Sequence, residues 1–354
     1  MMGAMTESDA PAPQPHRRRP RYRGTHPRRF EEKYKEHAPE LYPGLVEHVR
    51  ERGMTPAGQH VSIMTDEVLE VLAPRPGERV VDATLGFGGH ARSLLARVRP
   101  GGVLLGLDTD ALELPRTEER LRKAGFGAEE LLVRRTNFAG LRAAQYEVGW
   151  VEGADVVFAD LGLSSMQIDD PARGFTFKFE GPLDMRMNRS RGPTAAEWLE
   201  RATVDELARV LSENADEPRA ERLARALDAR RGRMKTTRDL AETVQAALSG
   251  RLGEDEVESS VRRVFQAIRI AVNDELGALD ALLRQLPEAL RSGGRVAILS
   301  FHSGEDRRVK HAFRAGLDSA VYAEISDEVL RPSAAERRSN PRSAPAKLRW
   351  ARRA

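Results

Sequence analysis

The stretch VVDATLGFGGHARSLL, Val80 to Leu95, constrains the fold of this chain more than any other. Two valines lead into an acid. Gly86, Gly88 and Gly89 follow closely, and Ala91, Leu94 and Leu95 then recur at helical spacing. Strand, glycine turn and helix in immediate succession make half of a βαβ unit, and the turn offers backbone N–H groups at a helix N-terminus, where nucleotide cofactors bind. The spacing Gly86-x-Gly88-x-x-Ala91 formally satisfies the dinucleotide pattern. The glycines alone leave the cofactor open.

The chain around this stretch repeats the alternation. MTDEVLEVL reads as a short amphipathic helix, GVLLGLD as a second strand and ALELPRTEERLRKAG as a helix with Pro115 in its first turn. LLVRRTNF and ADVVFADLG are further strands, so the expected core is an α/β parallel sheet. Past Asp169 the alternation stops. Residues 170–192 read as a long loop rich in Gly, Pro and Arg, followed by four helical segments with no strand among them. Thr194 with Glu197 and Thr203 with Glu206 have capping-box spacing there. The pattern then resumes with one long helix from Ser259, the strand RVAILSF and a last helix. The expected organisation is a basic, partly disordered extension at 1–58, an α/β domain at 59–169 and 259–330, an inserted all-helical domain at 170–258, and a basic tail at 331–354.

Charge follows the same division. The 354 residues carry a formal net charge of +3, but residues 1–58 carry +3, residues 331–354 carry +7, and the middle carries −7. Arg17, Arg18, Arg19, Arg21, Arg23, Arg28 and Arg29 come with no acid between them, an arm suited to a polyphosphate partner or simply to solvent. With no cysteine, disulfides, thiolate nucleophiles and zinc–sulfur sites are excluded. The histidines lack ligand spacing, so no metal is expected. No membrane span or secretory leader is visible, and a cytoplasmic location is the expectation.

Two acids narrow the cofactor. Asp82 precedes Gly86 by four residues. A carboxylate there suits the amino group of S-adenosylmethionine (SAM) and would repel a pyrophosphate. Asp108 ends the second strand, 22 residues past Gly86, and suits ribose hydroxyls in either cofactor. Each acid also has a plain reading as a turn or helix cap. On successive strands, the pair favours SAM. The fourth strand ends in Asp160, where amine methyltransferases hold an acid or amide that orients the accepting nitrogen. Leu161 and Gly162 replace the prolines usual there, and Ser164 and Ser165 follow. The residues by themselves leave the acceptor atom open.

MTDEVLEVL, VVDATLGFGGHARSLL, LDTDALEL, NFAGL, DLGLSSMQIDDPARGFTFKFEGPLDMRMN, FQAIRIAVNDEL, VAILSFHSGEDRRVK and SNPRSAPAKLR occur in this order over most of the chain. Together they resemble the bacterial small-subunit ribosomal RNA cytosine-N4 methyltransferases, the RsmH/MraW family. The resemblance implies a Rossmann-like SAM-dependent methyltransferase sheet with an inserted all-helical domain, acting on N4 of a decoding-centre cytidine of 16S ribosomal RNA in the small ribosomal subunit. It implies that Gly88, Gly89 and His90 line the SAM turn, that Asp108 holds the ribose, that Phe138 packs on the adenine, and that Asp160 and Gln167 complete the pocket. Ser164 and Ser165 would line the target-base pocket. The sequence departs from the family pattern at Asn188, Gly304 and SAPAKLR.

The Arg-rich loop carries Phe175, Phe177 and Phe179 among Arg173, Arg186, Arg189 and Arg191. It reads equally as a stacking and phosphate surface for a flipped base or as core beneath the helical insert. An amine methyltransferase on DNA or a small molecule, and a non-catalytic RNA-binding assembly factor, are the competing functions. A homodimer is left open.

Overall fold

The computed structural model describes residues 62–354, apart from the side chains of Ser165 and Met166. The expectations for the 1–58 arm lie outside the described residues.

Seven strands form one sheet in the order β3-β2-β1-β4-β5-β7-β6. β1 (Arg79–Asp82), β2 (Val103–Asp108), β3 (Leu131–Arg135), β4 (Ala154–Asp160) and β5 (Leu290–Ser300) pair in parallel. β7 (Lys347–Arg353) runs antiparallel between β5 and β6 (Tyr322–Ile325). The strands are apolar on both faces because helices cover both. Val80, Leu104, Val156 and Leu299 pack with Leu94 and Leu95 of α2 (Gly89–Val98) and Leu72 of α1 (Thr65–Leu72). Val81, Leu105, Val157 and Ile298 pack on the other face, with Leu279 and Leu286 of α11 (Glu275–Ala289) and Phe313 of α12 (Ser303–Asp318). α3 (Glu113–Lys123) follows β2, with Pro115 in its first turn, and α4 (Leu141–Glu147) follows β3.

β4 and β5 are sheet neighbours, yet the chain between them runs through α5 (Ser165–Asp169) and a helical layer: α6 (Ala195–Arg201), α7 (Val204–Ala215), α8 (Ala220–Ala229), α9 (Thr237–Leu248) and α10 (Glu254–Asn273). Thr194 completes a reciprocal cap with Glu197, and Thr203 accepts from Glu206 N. The expected single helix from Ser259 is two. Asp274, at φ 48°, separates α10 from α11. α10 belongs to the helical layer, since Val261, Val264, Phe265 and Ile268 share a core with Leu211, Leu223 and Leu240. The helical layer therefore extends beyond residue 258.

Phe175 is buried in that same core, and Phe177 packs edge-on to Phe265 at 5.4 Å. These two rings are core, not an exposed stacking platform.

The basic tail expected at 331–354 is instead structure. α13 (Ala334–Ser339) ties back to α1 through Glu336, whose Oε1 accepts from Met64 N at 2.9 Å, and β7 is an interior strand. Its charges point at a partner: Asp306 accepts from Arg349 Nε at 2.6 Å and from Lys347 Nζ at 3.2 Å.

Candidate active site

In open parallel sheets, ligands bind beyond the carboxyl ends of the strands where the strand order reverses, here between β1 and β4. A cavity of about 520 Å3 opens there. Gly86, Gly88, Gly89, His90, Asp108, Phe138, Asp160, Ser164 and Gln167 all line it. Asp82 does not. Its Oδ1 accepts from Thr84 N at 3.1 Å, which folds the carboxylate against the strand end beneath the turn. Ser165 falls in α5, with its side chain outside the described residues.

The glycine turn is built for backbone approach. Gly86 and Gly88 have φ of +49° and +79°, which side chains rarely adopt. A Cβ on Gly88 would come within 2.9 Å of Thr117 Cγ2. Asp108 fastens the turn to β2: its Oδ2 accepts from Gly86 N at 2.8 Å and its Oδ1 from Asp110 N at 2.8 Å.

Four acids crowd this end of the sheet. Burial pushes Asp82 up to about 7, against the Thr84 N–H and with the Asp108 charge adding. Burial likewise pushes Asp160 up to about 8, helped by the Asp82 and Glu305 charges. Asp108 is raised in the same way. Asp82 Oδ2 and Asp160 Oδ1 are buried without a hydrogen-bond partner among the described residues. Unpaired buried acceptors around a turn of N–H donors suit a ligand with cationic groups and oppose a pyrophosphate. SAM carries an ammonium and a sulfonium, so the residues fit it.

His90 faces Asp160. Its Nδ1 lies 3.7 Å from Asp160 Oδ2, its Nε2 is 3.0 Å from the Ile63 carbonyl, and its ring rests on Phe158. Phe138 lines the cavity while packing on the core below. Gln167 closes a reciprocal turn with Ser164, its Oε1 accepting from Ser164 N at 3.1 Å, and its Nε2 donates to Asp110 Oδ2 at 3.3 Å.

Several wall residues carried no clear sequence signal. Phe301 comes from just before α12 and Glu305 from its first turn, Arg269 from α10, and Pro341, Arg342 and Pro345 from the segment before β7. Arg342 pairs with Asp169 at 2.6 Å, which fixes that segment over the end of α5. Only long-range pairing brings these segments to the cavity. The one local clue was His302 three residues before Glu305, a capping box with histidine in place of serine or threonine. Of the departures, Asn188 Oδ1 accepts from Ser190 N at 3.1 Å within its own loop, and Gly304 lies against the His302 ring.

A parallel sheet with an antiparallel interior strand and an acid-lined cavity at its switch point define a SAM-dependent methyltransferase. The chain belongs to the MraW methylase family, whose model matches residues 57–354. It is 46% identical over 357 residues to "Ribosomal RNA small subunit methyltransferase H 1" of Lachnoclostridium phytofermentans, covering 99% of this chain and 96% of that one. It is 47% identical over 340 residues to "Ribosomal RNA small subunit methyltransferase H 2" of Alkaliphilus metalliredigens, covering 94% and 97%. The relative in Rubrobacter xylanophilus, "Ribosomal RNA small subunit methyltransferase H", is 44% identical over 317 residues, covering 83% and 96%.

Proposed function

We propose that this chain methylates the N4 amine of a decoding-centre cytidine in the 16S ribosomal RNA of the small subunit. The observation that carries the chemistry is Asp160, whose Oδ1 is a buried acceptor without a partner among the described residues, at the end of β4 on the cavity wall. When bound, SAM supplies an electrophilic methyl group on a sulfonium. Gly86, Gly88 and Gly89 would hold it by backbone approach, Asp108 by ribose contacts and Phe138 by packing on the adenine, with Asp82 below the turn adding negative potential.

The chain's own residues then have three tasks. Asp160 accepts an N–H of the amine and so aims the nitrogen lone pair, catalysis by positioning. In its carboxylate form, with burial raising its proton affinity, Asp160 also takes the surplus proton as the nitrogen gains charge. Ser164, held by Gln167, would edge the target-base pocket, with Ser165 next to it in the chain. The segment at Pro341, Arg342 and Pro345 walls the cavity against water.

A cytidine in folded RNA has to be unstacked to reach this depth, at about a few kcal/mol. The family membership and the relatives named for small-subunit ribosomal RNA support the substrate. Among the described residues, no helix is long and apolar enough to cross a membrane. A ribosome-modifying enzyme works in the cytoplasm.

Mass spectrometry of 16S nucleosides from a strain lacking the gene tests the reading. N4-methylcytidine is expected to disappear and to return when the gene is restored. An unchanged level refutes it. Competition among small subunits, bare RNA and DNA separates the RNA reading from other amine methylations.

A further inference from the structure

Glu305 does more than cap its helix. The cap is real: Glu305 N donates to His302 Nδ1 at 3.4 Å, and Glu305 Oε2 accepts from Phe301 N at 2.9 Å and His302 N at 3.4 Å. A cap needs one carboxylate oxygen and works at the surface. This carboxylate is 3% exposed and stands on the cavity wall, where burying a charge is costly. Its Oε1 takes no backbone N–H among the described residues and lies 3.2 Å from His302 Nε2.

Asp160 shares the same wall, and the charge of Glu305 is one of the two that raise it. The two acids are set apart by their surroundings. Burial opposes charge on Glu305, but His302, the Phe301 N–H and the nearby Arg269 hold it below the usual carboxylate range. Asp160 Oδ1 takes no hydrogen bond among the described residues, and Asp160 is pushed up to about 8. Two carboxyls driven in opposite directions in one cavity mark a division of labour.

An exocyclic amine has two N–H bonds, and its lone pair is fixed only when both are held. Leu161 and Gly162 stand where amine methyltransferases place the prolines that follow the acceptor acid. We propose that Glu305 is a catalytic residue: the two N–H groups of the target amine are held by Asp160 and Glu305. In the transfer, the nitrogen lone pair forms the new N–C bond and the electron pair of the broken S–C bond stays on sulfur. The surplus proton passes to the carboxylate form of Asp160, the better proton acceptor of the two. The remaining N–H stays on Glu305. This proposal rests on the amine-methylation reading above.

The test compares wild type, Glu305→Gln, Asp160→Asn and the double variant as full chains, measuring kcat, RNA KM, SAM affinity and melting temperature. Glu305→Gln is expected to keep SAM affinity within about threefold and to lower kcat by about 100-fold, with RNA KM moving less. The double variant is expected to lose less than the product of the single losses, because both groups hold one amine. Near wild-type kcat in Glu305→Gln overturns the proposal. So does a kcat loss matched by equal losses of SAM affinity and thermal stability, which marks a cap and nothing more. If Glu305→Gln does not fold, Glu305→Asp, which keeps the charge and withdraws the oxygen, is read by the same criteria. An inactive wild type instead sinks the RNA-methylation reading.

Discussion

Arg173 Nη1 donates to Asp110 Oδ2 across 3.0 Å, with both side chains less than a tenth exposed. The pair joins the end of β2, which holds the glycine turn, to the loop that leads into the helical layer. Gln167 donates to the same oxygen, and Arg173 Nη2 donates to the Met187 carbonyl at 3.0 Å. One buried ion pair thus ties the glycine-turn end of the cavity to the loop that leads into the helical layer.

Removing one partner leaves the other charge buried. Arg173→Met is expected to destabilise the fold by about 3–5 kcal/mol and to weaken methyl transfer more than SAM binding. Urea unfolding and calorimetric SAM titration measure the two effects. Full stability in the variant would show that the loop is held by its apolar contacts alone.

The raised acids make stability depend on pH. Folded, ligand-free Asp82 and Asp160 keep protons up to about 7 and about 8, whereas the unfolded chain releases them near 3.8. Their contribution is therefore full below about pH 4 and is lost as pH rises through 7 and 8. The lowered acids Asp110, Asp184, Glu305 and Asp306 change protonation below that window. Asp160→Asn should gain melting temperature relative to wild type between pH 5.5 and 8.5. SAM affinity in the wild type should rise over the same range, as the acids ionise toward a cationic ligand. A pH-independent difference in melting temperature would remove Asp160 from this role.

The C-terminal strand is expected to be indispensable. Deleting residues 347–354 strips partners from both β5 and β6 and removes buried Leu348 and Ala351. Soluble expression and circular dichroism should show an unfolded or aggregated product. A soluble chain with native SAM affinity would return this segment to the status of a tail.

Gly88 tests the turn. Gly88→Ala places a Cβ within 2.9 Å of Thr117 Cγ2 at a φ of +79°, which should cost about 1–3 kcal/mol and weaken SAM binding, both readable by thermal shift with and without ligand. Unchanged affinity would mean that the turn tolerates a side chain.

The parallel strands and the acids at their ends were legible because they are local. Strand, turn, helix and the acid closing each strand lie within about twenty residues of one another, and their periodicity survives tertiary packing. Glu305, Arg269 and Arg342 were not legible as cavity residues, because only the pairing of β4 with β5 and of β5 with β7 brings their segments to the cavity. KLRWARR read as a tail because charge outweighed its apolar alternation. Its Lys347 and Arg349 both pair with Asp306, some forty residues earlier in the chain. Phe175 and Phe177 were undecided for a similar reason. Alternating phenylalanines fit a stacking surface or a core face; burial in the helical-layer core placed Phe175 there, and contact with Phe265 of α10 placed Phe177 there.

The most direct test is methyl transfer in vitro. Small ribosomal subunits from a strain lacking the gene are incubated with methyl-labelled SAM and either the wild-type chain or Asp160→Ala, and the RNA is digested to nucleosides. The expected result is label in N4-methylcytidine alone with the wild type, and a loss of at least about 100-fold with Asp160→Ala despite retained SAM binding. Label in any other nucleoside, or near-normal turnover by Asp160→Ala, would contradict it.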